Sequence, residues 1–467
     1  MSARVPSVGF DDALAIWQAG VDAVRSQRLI RQVVRAGPDA LQVADQTLVW
    51  DGFDRIVVVG AGKAGAGMAA GLEQALGPEF LRDKRVQGWI NVPDDCVLPL
   101  QSIRLHGARP PGVNEPTAAG VSGTERILGM VREMDARDLC LCLISGGGSA
   151  LLPAPVPGIT LEDKLAVTRH LSGAGANIHQ LNTVRKQLSR VKGGGLARAC
   201  RAGRLISLII SDVLGDPLDV IASGPCVPGD STPGEALSIL AQFKARAGGV
   251  PESVFRRLEG LASAAGEAPA ISGRVTNRII GNNATAVRAA GEEARRRGYR
   301  TAELAARELE GSAEEVGRHL VRQALSSRSD GRPRAWISGG EPTVCLAPRE
   351  QRGRGGRNQQ LVLAALAYLL DLPNPPPGEL VLLAGGTDGE DGPTDAAGAW
   401  LDRDLLARVD AAGPRPTEYL RRNDAYHFFE PFQRLLRTGP THTNVCDLRV
   451  VLTGGEPSGE PNGCPGT

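Results

Sequence analysis

Five short apolar runs in this chain each stop abruptly at a loop of glycines, hydroxyl residues or carboxylates. The most pronounced lies in Cys140–Leu152, where three glycines separate two apolar runs. This pattern is typical of a buried strand that ends in a tight turn and opens a helix. Because glycine has no Cβ, the N–H groups of such a turn can approach a phosphate closely. A turn that binds nothing has the same pattern. The candidate phosphate cradle consists of Ser145, Gly146, Gly147, Gly148 and Ser149.

The other four runs end at similar loops along the chain. These loops are Gly60–Gly65, Ser211–Asp216, Ser338–Glu341 and Ala384–Gly389. Strand and helix patterns alternate between them, which is typical of a doubly wound parallel sheet. Ligands of open α/β sheets bind at the carboxyl ends of the strands, so we expect the loops to share one cleft.

Composition limits the classes of function. With 467 residues the chain is long for one core, which predicts two or more domains. A formal net charge of +1 gives no electrostatic case for nucleic acid or a membrane as partner. No apolar run is long enough to span a bilayer, and Asp11 and Asp12 begin an amphipathic helix rather than a signal peptide. The eight cysteines include no Cys-x-x-Cys pair, which indicates a reduced, cytoplasmic protein.

Composition also suggests domain boundaries. We place the first domain at residues 1–245, the second at 246–453 and a disordered tail at 454–467, because an Ala-, Gly- and Glu-rich segment surrounds the first boundary. The N-terminal pattern is helical up to about Val49, and Ile56–Val59 is the first predicted strand. The proline-punctuated stretch from Pro93 to Pro116 is expected to be irregular.

Basic residues near the glycine-rich loops are candidates for phosphate clamps. Lys63 lies inside the first loop, whereas Arg354 and Arg357 are flanked by glycines where a helix is expected to begin. A crowded basic helix carries Arg185 and leads to Lys192, which Gly193 follows. Such a helix is either a solvated face or a site for phosphate or carboxylate.

Acidic residues in the strand-end loops could serve phosphoryl transfer, which requires a divalent metal as well as cations. Asp212, Asp388, Asp391 and Asp395 carry the oxygen ligands that Mg²⁺ prefers. One of them could instead orient or deprotonate an attacking hydroxyl. The sequence does not decide which carboxylate is base and which is ligand.

A different class of function competes with this interpretation. Residues 60–65, Gly-Ala-Gly-Lys-Ala-Gly, match the dinucleotide fingerprint of NAD(P)H enzymes. Such a site also requires an acid at the end of the second strand, whereas Asp83 precedes that strand. The nucleotide-kinase P-loop is absent, so a kinase here would be of another kind.

Several motifs together resemble the glycerate 2-kinases, the MOFRL family, whose members were often labelled hydroxypyruvate reductases. The resemblance spans about Asp11 to Leu452. The motifs are Val58–Ala64, Ile144–Leu152, Asn182–Gly195, Ser211–Pro217, Ala222–Pro225, Ser338–Thr343, Gly353–Gln360, Gly385–Asp395 and Thr438–Leu448. The family usually has glycine where His442 stands.

The resemblance implies transfer of the ATP γ-phosphoryl group to the 2-hydroxyl of D-glycerate, with Mg²⁺. It implies two α/β domains, the first Rossmann-like, with the active site in the cleft between them. An NAD(P)H-dependent hydroxypyruvate reductase is the alternative, and whether a homo-oligomer forms is left open. The implied roles are catalysis for Lys63, Arg357 and Asp212; ATP binding for Gly60, Gly62, Ser145, Gly146, Gly147, Gly148, Ser149, Lys192 and Gly193; substrate binding for Arg354, Arg185 and Asn358; and metal binding for Asp388 and Asp395.

Overall fold

The computed structural model describes residues 8–263, 274–326, 332–373 and 379–454. The described helices are α1 (Phe10–Ala23), α2 (Ser26–Val33), α3 (Gly65–Asp83), α4 (Ala118–Arg132), α5 (Gly148–Leu151), α6 (Leu161–Gly173), α7 (Ile178–Gln187), α8 (Gly195–Ala199), α9 (Pro233–Gln242), α10 (Glu252–Ser263), α11 (Asn283–Arg296), α12 (Ala313–Ser326), α13 (Arg357–Leu370), α14 (Arg403–Ala412), α15 (Pro416–Arg421) and α16 (Ala425–Phe429). The described strands are β1 (Val34–Ala36), β2 (Ala40–Val43), β3 (Gln46–Val49), β4 (Arg55–Ala61), β5 (Gln87–Pro93), β6 (Ile103–Arg109), β7 (Asp138–Ile144), β8 (Arg204–Ile210), β9 (Val275–Gly281), β10 (Arg300–Ala305), β11 (Arg334–Gly340), β12 (Leu380–Gly386), β13 (Gly398–Leu401), β14 (Leu435–Leu436) and β15 (Asp447–Thr453).

The chain divides into two compact units. The first unit is Ser26–Gly281, and the second unit combines Met1–Arg25 with Asn282–Thr467. This division differs from the predicted boundary at 245/246. Strand β9 pairs with β8, and α9 and α10 pack in one apolar cluster with α6 and α7, so the first unit extends to Gly281. Helix α1 packs on the other sheet, where the Trp17 indole N–H donates to the Leu448 carbonyl at 3.2 Å.

The first unit contains a six-stranded, fully parallel sheet in the order β6-β5-β4-β7-β8-β9. Numbered from its first strand, this is the 3-2-1-4-5-6 order of a Rossmann fold, which confirms the predicted architecture. The chain order reverses between β4 and β7, and their last residues, Ala61 and Ile144, are partners in register. The loops after these two strands therefore begin side by side at the switch point of the sheet, where ligands of such folds bind.

Two predictions of local structure for the first unit were wrong. Residues 34–49 form the three-stranded antiparallel sheet β1-β2-β3 rather than helix, because turn residues at Gly37-Pro38 and Asp45 separate short runs of period two. The proline-punctuated stretch also contains β6. In that strand Ile103 and Leu105 are buried and Arg104 is exposed, a short alternation that the flanking prolines obscured.

The second unit contains a mixed six-stranded sheet in the order β10-β11-β15-β12-β13-β14. Strand β15 is antiparallel to both of its neighbours, and its first residue, Asp447, is in register with Gly340 and with Gly386. Asp447 therefore lies between the carboxyl ends of β11 and β12. Both units are α/β, as predicted. Within the described ranges, no helix is long and apolar enough to cross a membrane. Of the predicted tail, residues 455–467 lie outside the described ranges.

Candidate active site

The loops that follow β4 and β7 hold each other at the switch point of the first sheet. The Lys63 N–H donates to the Gly146 carbonyl at 2.8 Å, and the Ser145 N–H donates to the Ala61 carbonyl at 3.2 Å. The Ser145 hydroxyl in turn accepts the Ala64 N–H at 3.0 Å. Since these bonds run in both directions between the loops, Lys63 has a fixed backbone position beside the glycines that follow β7.

The glycines of the fingerprint loop are explained by this close approach. A Cβ at Gly60 would lie 2.0 Å from the Leu143 carbonyl oxygen, and one at Gly62 would lie 2.0 Å from the Ser145 hydroxyl. The Gly62 N–H donates to the Asn91 carbonyl, and the N–H groups of the next two residues donate to the β7 loop. The three N–H groups of residues 62–64 thus have protein acceptors and do not form a pyrophosphate cradle.

The loop after β7 differs, because two of its backbone donors have no acceptor. Among the residues that the structure describes, no group accepts the N–H of Gly146 or of Gly147. Gly147 has φ +76°, and a Cβ there would lie 3.2 Å from Arg109 Nη2 and 3.5 Å from Lys63 Cγ. Two open N–H donors thus lie beside two cationic side chains, an arrangement suited to the oxygens of a phosphate.

Lys192, a predicted nucleotide ligand, is buried beside this loop. Its amine contacts the Ser149 hydroxyl at 2.5 Å, the Ser149 carbonyl at 3.1 Å and the Ser223 hydroxyl at 3.2 Å. The Ser223 hydroxyl donates to the Asn182 side chain at 3.0 Å. Burial, and then the positive charge of neighbouring Arg185, lowers the pKa of Lys192 well below its usual value. The lysine therefore orders two hydroxyl groups rather than projecting from a solvated helix.

Gly193, a residue that the resemblance assigns to ATP binding, has a protein acceptor for its backbone N–H. It has φ +55°, but its N–H donates to the Ser223 carbonyl at 2.9 Å. The next N–H, of Gly194, donates to the Gly224 carbonyl at 2.7 Å. These glycines bring the segment after α7 against the segment at Ser223, and so position Lys192.

The remaining predicted residues of the first unit lie on neighbouring elements. Asp212 follows β8 at the same edge of the sheet and is half-buried. Arg185 lies in the last turn of α7 and is half-buried, and burial lowers its pKa. The Lys164 amine on α6 donates to the Leu188 carbonyl at the end of α7 at 3.0 Å. Sequence reasoning did not single out Lys164.

Arg357, the predicted catalytic arginine, is the first residue of α13 in the second unit. Its guanidinium binds Asp447 through two N–H groups, at 2.7 and 3.0 Å, and Glu341 through a third at 2.7 Å. Burial opposes its charge, but Asp447 and Glu341 outweigh burial and raise the pKa of Arg357. Because arginine has five N–H donors, two are left for a ligand.

The other residues of this motif have mainly structural partners. Arg354 is exposed and stacks over the Tyr426 ring at 4.4 Å. Asn358 is fully buried, and its backbone and side-chain N–H groups donate to Asp391. Asp391 also accepts the Gln359 N–H at 2.9 Å and so caps α13. Burial raises the pKa of Asp391 from 3.8 to about 7, against the lowering effect of these N–H donors. Asn358 therefore holds the helix terminus that carries Arg357.

The two predicted metal ligands differ in how well they suit a cation. Asp388 follows β12, and its carboxylate accepts the Glu390 N–H at 3.1 Å. Asp395 is paired with Arg437 at 3.0 Å, so its carboxylate already has a countercharge. Among the described residues there is no group of three or more His, Cys, Asp or Glu side chains that could hold a metal. Both carboxylates have the donor chemistry for Mg²⁺, but the ion pair of Asp395 with Arg437 would have to open for it to bind a cation. Both metal assignments stay predictions.

His442 stands where the family usually has glycine, and the backbone conformation at this position explains that preference. His442 is exposed and has φ +57°, in the left-handed region that favours glycine. The usual glycine at this position is therefore explained by backbone conformation.

Sequence reasoning gave no role to several residues at these sheet edges, although Glu341 and Asp447 lie within motifs that it named. Arg109 ends β6, Asp94 follows β5, Glu341 follows β11 and Asp447 begins β15. Charged residues that directly flank strands were the available signal for all four. Asp94 also stands where a dinucleotide site would need its acid, a position for which only Asp83 was considered.

Comparison with known proteins agrees with this architecture. A family model described as "Domain of unknown function (DUF4147)" matches residues 12–259, and the MOFRL family model matches residues 334–447. The D-glycerate 2-kinase of Thermotoga maritima is 34% identical, covering 91% of this chain and 98% of that protein. The chain belongs to the glycerate kinase family.

Two further comparisons extend this result. The crystal structure of the glycerate kinase from Thermotoga maritima superposes with a TM-score of 0.78 at 33% identity, covering 95% of this chain and 99% of that one. An Agrobacterium vitis protein provisionally named as a hydroxypyruvate reductase is 38% identical, covering 86% of this chain and all of that protein (100%). The resemblance to the MOFRL kinases is thus confirmed, as are the two α/β domains.

Proposed function

We propose that this protein transfers the γ-phosphoryl group of ATP to the 2-hydroxyl of D-glycerate and releases 2-phospho-D-glycerate and ADP. The observation that carries the proposal is the loop after β7. There the N–H groups of Gly146 and Gly147 lack acceptors among the described residues, and Lys63 and Arg109 flank them. The name of the Thermotoga maritima relative supports both the acid and the position of the hydroxyl.

In the first unit, Lys63 is assigned to the phosphoryl group that is transferred. Phosphoryl transfer is catalysed mainly by positioning and by charge placed where the transferring oxygens will be. Gly146, Gly147 and Arg109 would donate to phosphate oxygens at the same loop. Asp212, at the same edge of the sheet, is assigned to orient the attacking hydroxyl.

In the second unit, Arg357 is assigned to phosphate through the two N–H groups that Asp447 and Glu341 leave available. Holding the guanidinium by two carboxylates fixes its direction before substrate binds, which is the condition for electrostatic catalysis. Asp388 is assigned to Mg²⁺, which when bound would neutralise part of the charge of the nucleotide phosphates.

The test of this function is ADP formation from ATP and Mg²⁺ in the presence and absence of D-glycerate. Phosphorus NMR of the product distinguishes a phosphate on the 2-hydroxyl from one on the 3-hydroxyl. We expect glycerate-dependent ADP release and 2-phosphoglycerate. ADP release without any requirement for glycerate contradicts the acceptor, and 3-phosphoglycerate contradicts the position.

A second candidate is an NAD(P)H-dependent hydroxypyruvate reductase. The glycine fingerprint, the position of Asp94 after β5 and the name of the Agrobacterium vitis relative favour it. Against it, the N–H groups of Gly62, Lys63 and Ala64 already have protein acceptors. Oxidation of NADH or NADPH by hydroxypyruvate, measured on the same preparation, tests this candidate.

A further inference from the structure

Three basic side chains of the first unit surround the end of α7, and none has a carboxylate partner among the described residues. Arg185 lies in the last turn of α7, Lys164 donates to the Leu188 carbonyl at its end, and Lys192 is linked through the Ser223 hydroxyl to Asn182 of the same helix. We call Lys164, Arg185 and Lys192 the basic cluster. Lys164 and Lys192 are only 7% and 4% exposed. The Lys164 amine donates to one carbonyl and that of Lys192 contacts only serine oxygens. In the described part of the chain, Arg185 has neither a hydrogen bond nor an ion pair.

The neighbouring carboxylates are engaged elsewhere. On α7, Lys186 is paired with Asp219 at 3.1 Å. On α6, Asp163 caps its own helix through Thr160 and accepts the Ser253 hydroxyl at 3.0 Å. No carboxylate in the described ranges is therefore within ion-pair distance of the basic cluster.

The charges of the basic cluster oppose one another. Burial, and then the charge of Arg185, lowers the pKa of Lys164 from 10.5 to about 7. Burial and the same arginine lower the pKa of Lys192 in the same direction. Uncompensated buried cations are costly to a folded protein, and an anion that binds among them supplies the missing countercharge.

The position of the basic cluster relates it to the phosphate loop. Lys192 contacts Ser149, which lies two residues after Gly147. In a 2-hydroxy acid, the carboxylate carbon is bonded directly to the carbon that bears the reacting hydroxyl. A subsite for the carboxylate must therefore adjoin the subsite for the transferring phosphoryl group. Lys192 is the member of the basic cluster that reaches this loop, through Ser149.

We propose that Arg185 and Lys164 bind the carboxylate of the acid substrate, while Lys192 holds the hydroxyl groups of Ser149 and Ser223 beside it. Arg185 can offer a bidentate pair of N–H donors, and Lys164 has two donors beyond its bond to Leu188. The identity of the acid rests on the proposed function. This assignment places Lys192 with the acid substrate rather than with ATP.

The test is calorimetric titration of D-glycerate, without nucleotide, into the full-length protein. Arg185→Gln and Lys164→Met should each weaken binding by roughly 10- to 100-fold, the loss expected for one charge-assisted hydrogen bond. Lys244→Gln, at an exposed lysine of the same unit, should not change the affinity. Titration of ADP should give the same affinity in all four proteins. Unchanged glycerate affinity in both cluster variants, or loss of ADP affinity instead, overturns the proposal.

Thermal unfolding separates a binding role from a structural one. Lys164→Met removes a buried amine that has no countercharge, so its midpoint should lie at or above that of the wild type. A lower midpoint together with wild-type glycerate affinity would show a structural lysine and overturn the proposal.

The outcomes also distinguish the subsite from the kinase. If glycerate binding depends on Arg185 and Lys164 but no ADP forms, the kinase fails and the subsite stands. If ADP forms and neither variant changes the KM for glycerate, the kinase stands and the subsite fails.

Discussion

Two sets of buried charges, one in each unit, are held in opposite ways. In the second unit, Arg357 is bound by Asp447 and Glu341, and nearly inaccessible Arg449 is bound by Glu310 through two N–H groups at 2.7 and 2.8 Å. In the first unit, the basic cluster has no carboxylate within reach among the described residues. Paired charges fix the direction of a side chain before a ligand arrives. Unpaired buried charges lack a countercharge, which an anionic ligand can supply.

The largest effect is expected where pairing is tightest. Arg357→Ala should lower kcat by roughly 10²–10³-fold, because one preorganised donor is lost. It should also lower the free energy of unfolding by about 3 kcal/mol, since fully buried Asp447 is left without a countercharge. Enzyme kinetics and urea denaturation measure the two effects.

The matched control is Arg437→Ala, which breaks the exposed pair with Asp395 in the same unit. Exposed pairs contribute about 0–1 kcal/mol, so its stability should change little. If both arginine variants lost the same stability, the contrast between buried and exposed pairing would be refuted.

Lys63 tests the phosphate loop of the first unit. Lys63→Ala should lower kcat by roughly 10²–10³-fold, because the amine is assigned to the transferring phosphoryl group. Lys244→Ala serves as the control at an exposed lysine of the same unit. Turnover at the wild-type rate in Lys63→Ala would remove Lys63 from the site.

The pH dependence of stability should differ between the two regions. Lys164 has its pKa lowered to about 7 in the folded state, so between pH 7 and 10.5 the unfolded state binds a proton that the folded state lacks. Stability therefore rises with pH in this window, by at most about 1.4 kcal/mol per pH unit for one group. Lys192 acts in the same direction.

Asp391 in the second unit changes the stability with the opposite sign and over a different pH range. Its pKa is raised from 3.8 to about 7, so the folded state retains a proton that the unfolded state has lost. Stability from this group falls between about pH 4 and 7 and changes no further above pH 7.

Urea midpoints at pH 7, 8 and 9 should rise less steeply in Lys164→Met than in the wild type. Equal slopes would contradict the assignment of the rise to Lys164.

The smallest effect is expected at His442. His442→Gly relieves a left-handed backbone conformation but adds freedom to the unfolded chain, so the net gain should be roughly 0.5–1 kcal/mol. The KM values for glycerate and ATP should not change, because the side chain is exposed. A raised KM would show that His442 acts on a ligand.

The sequence predicted the strand-end loops well because glycine next to an apolar run is a local signal. Lys63 and Gly146 are 83 positions apart, yet both follow predicted strands, and their strands prove to be neighbours. What could not be predicted is which N–H groups remain open. That depends on how β4 is placed between β5 and β7: Asn91 of β5 accepts the Gly62 N–H, the β7 loop accepts those of Lys63 and Ala64, and no described group accepts those of Gly146 and Gly147.

The sequence also could not predict which residues pair with the charged side chains. Asp447 lies 90 positions from Arg357 and meets it only because β15 inserts between β11 and β12. In the sequence, nothing distinguishes Lys164 from an exposed lysine on a helix. Its burial follows from the packing of α6 against α7. Tertiary contacts of this kind decide whether a cation is solvated, paired or available to a ligand.

The most direct test of the account is a paired assay on the wild type and on Lys63→Ala. One reaction contains D-glycerate, ATP and Mg²⁺, and ADP release is followed. The other contains hydroxypyruvate with NADH or NADPH, and cofactor oxidation is followed. The account predicts glycerate-dependent ADP release by the wild type, its loss in Lys63→Ala, and no cofactor oxidation by either protein. Cofactor oxidation without ADP formation would contradict it and would make residues 60–65 a dinucleotide site.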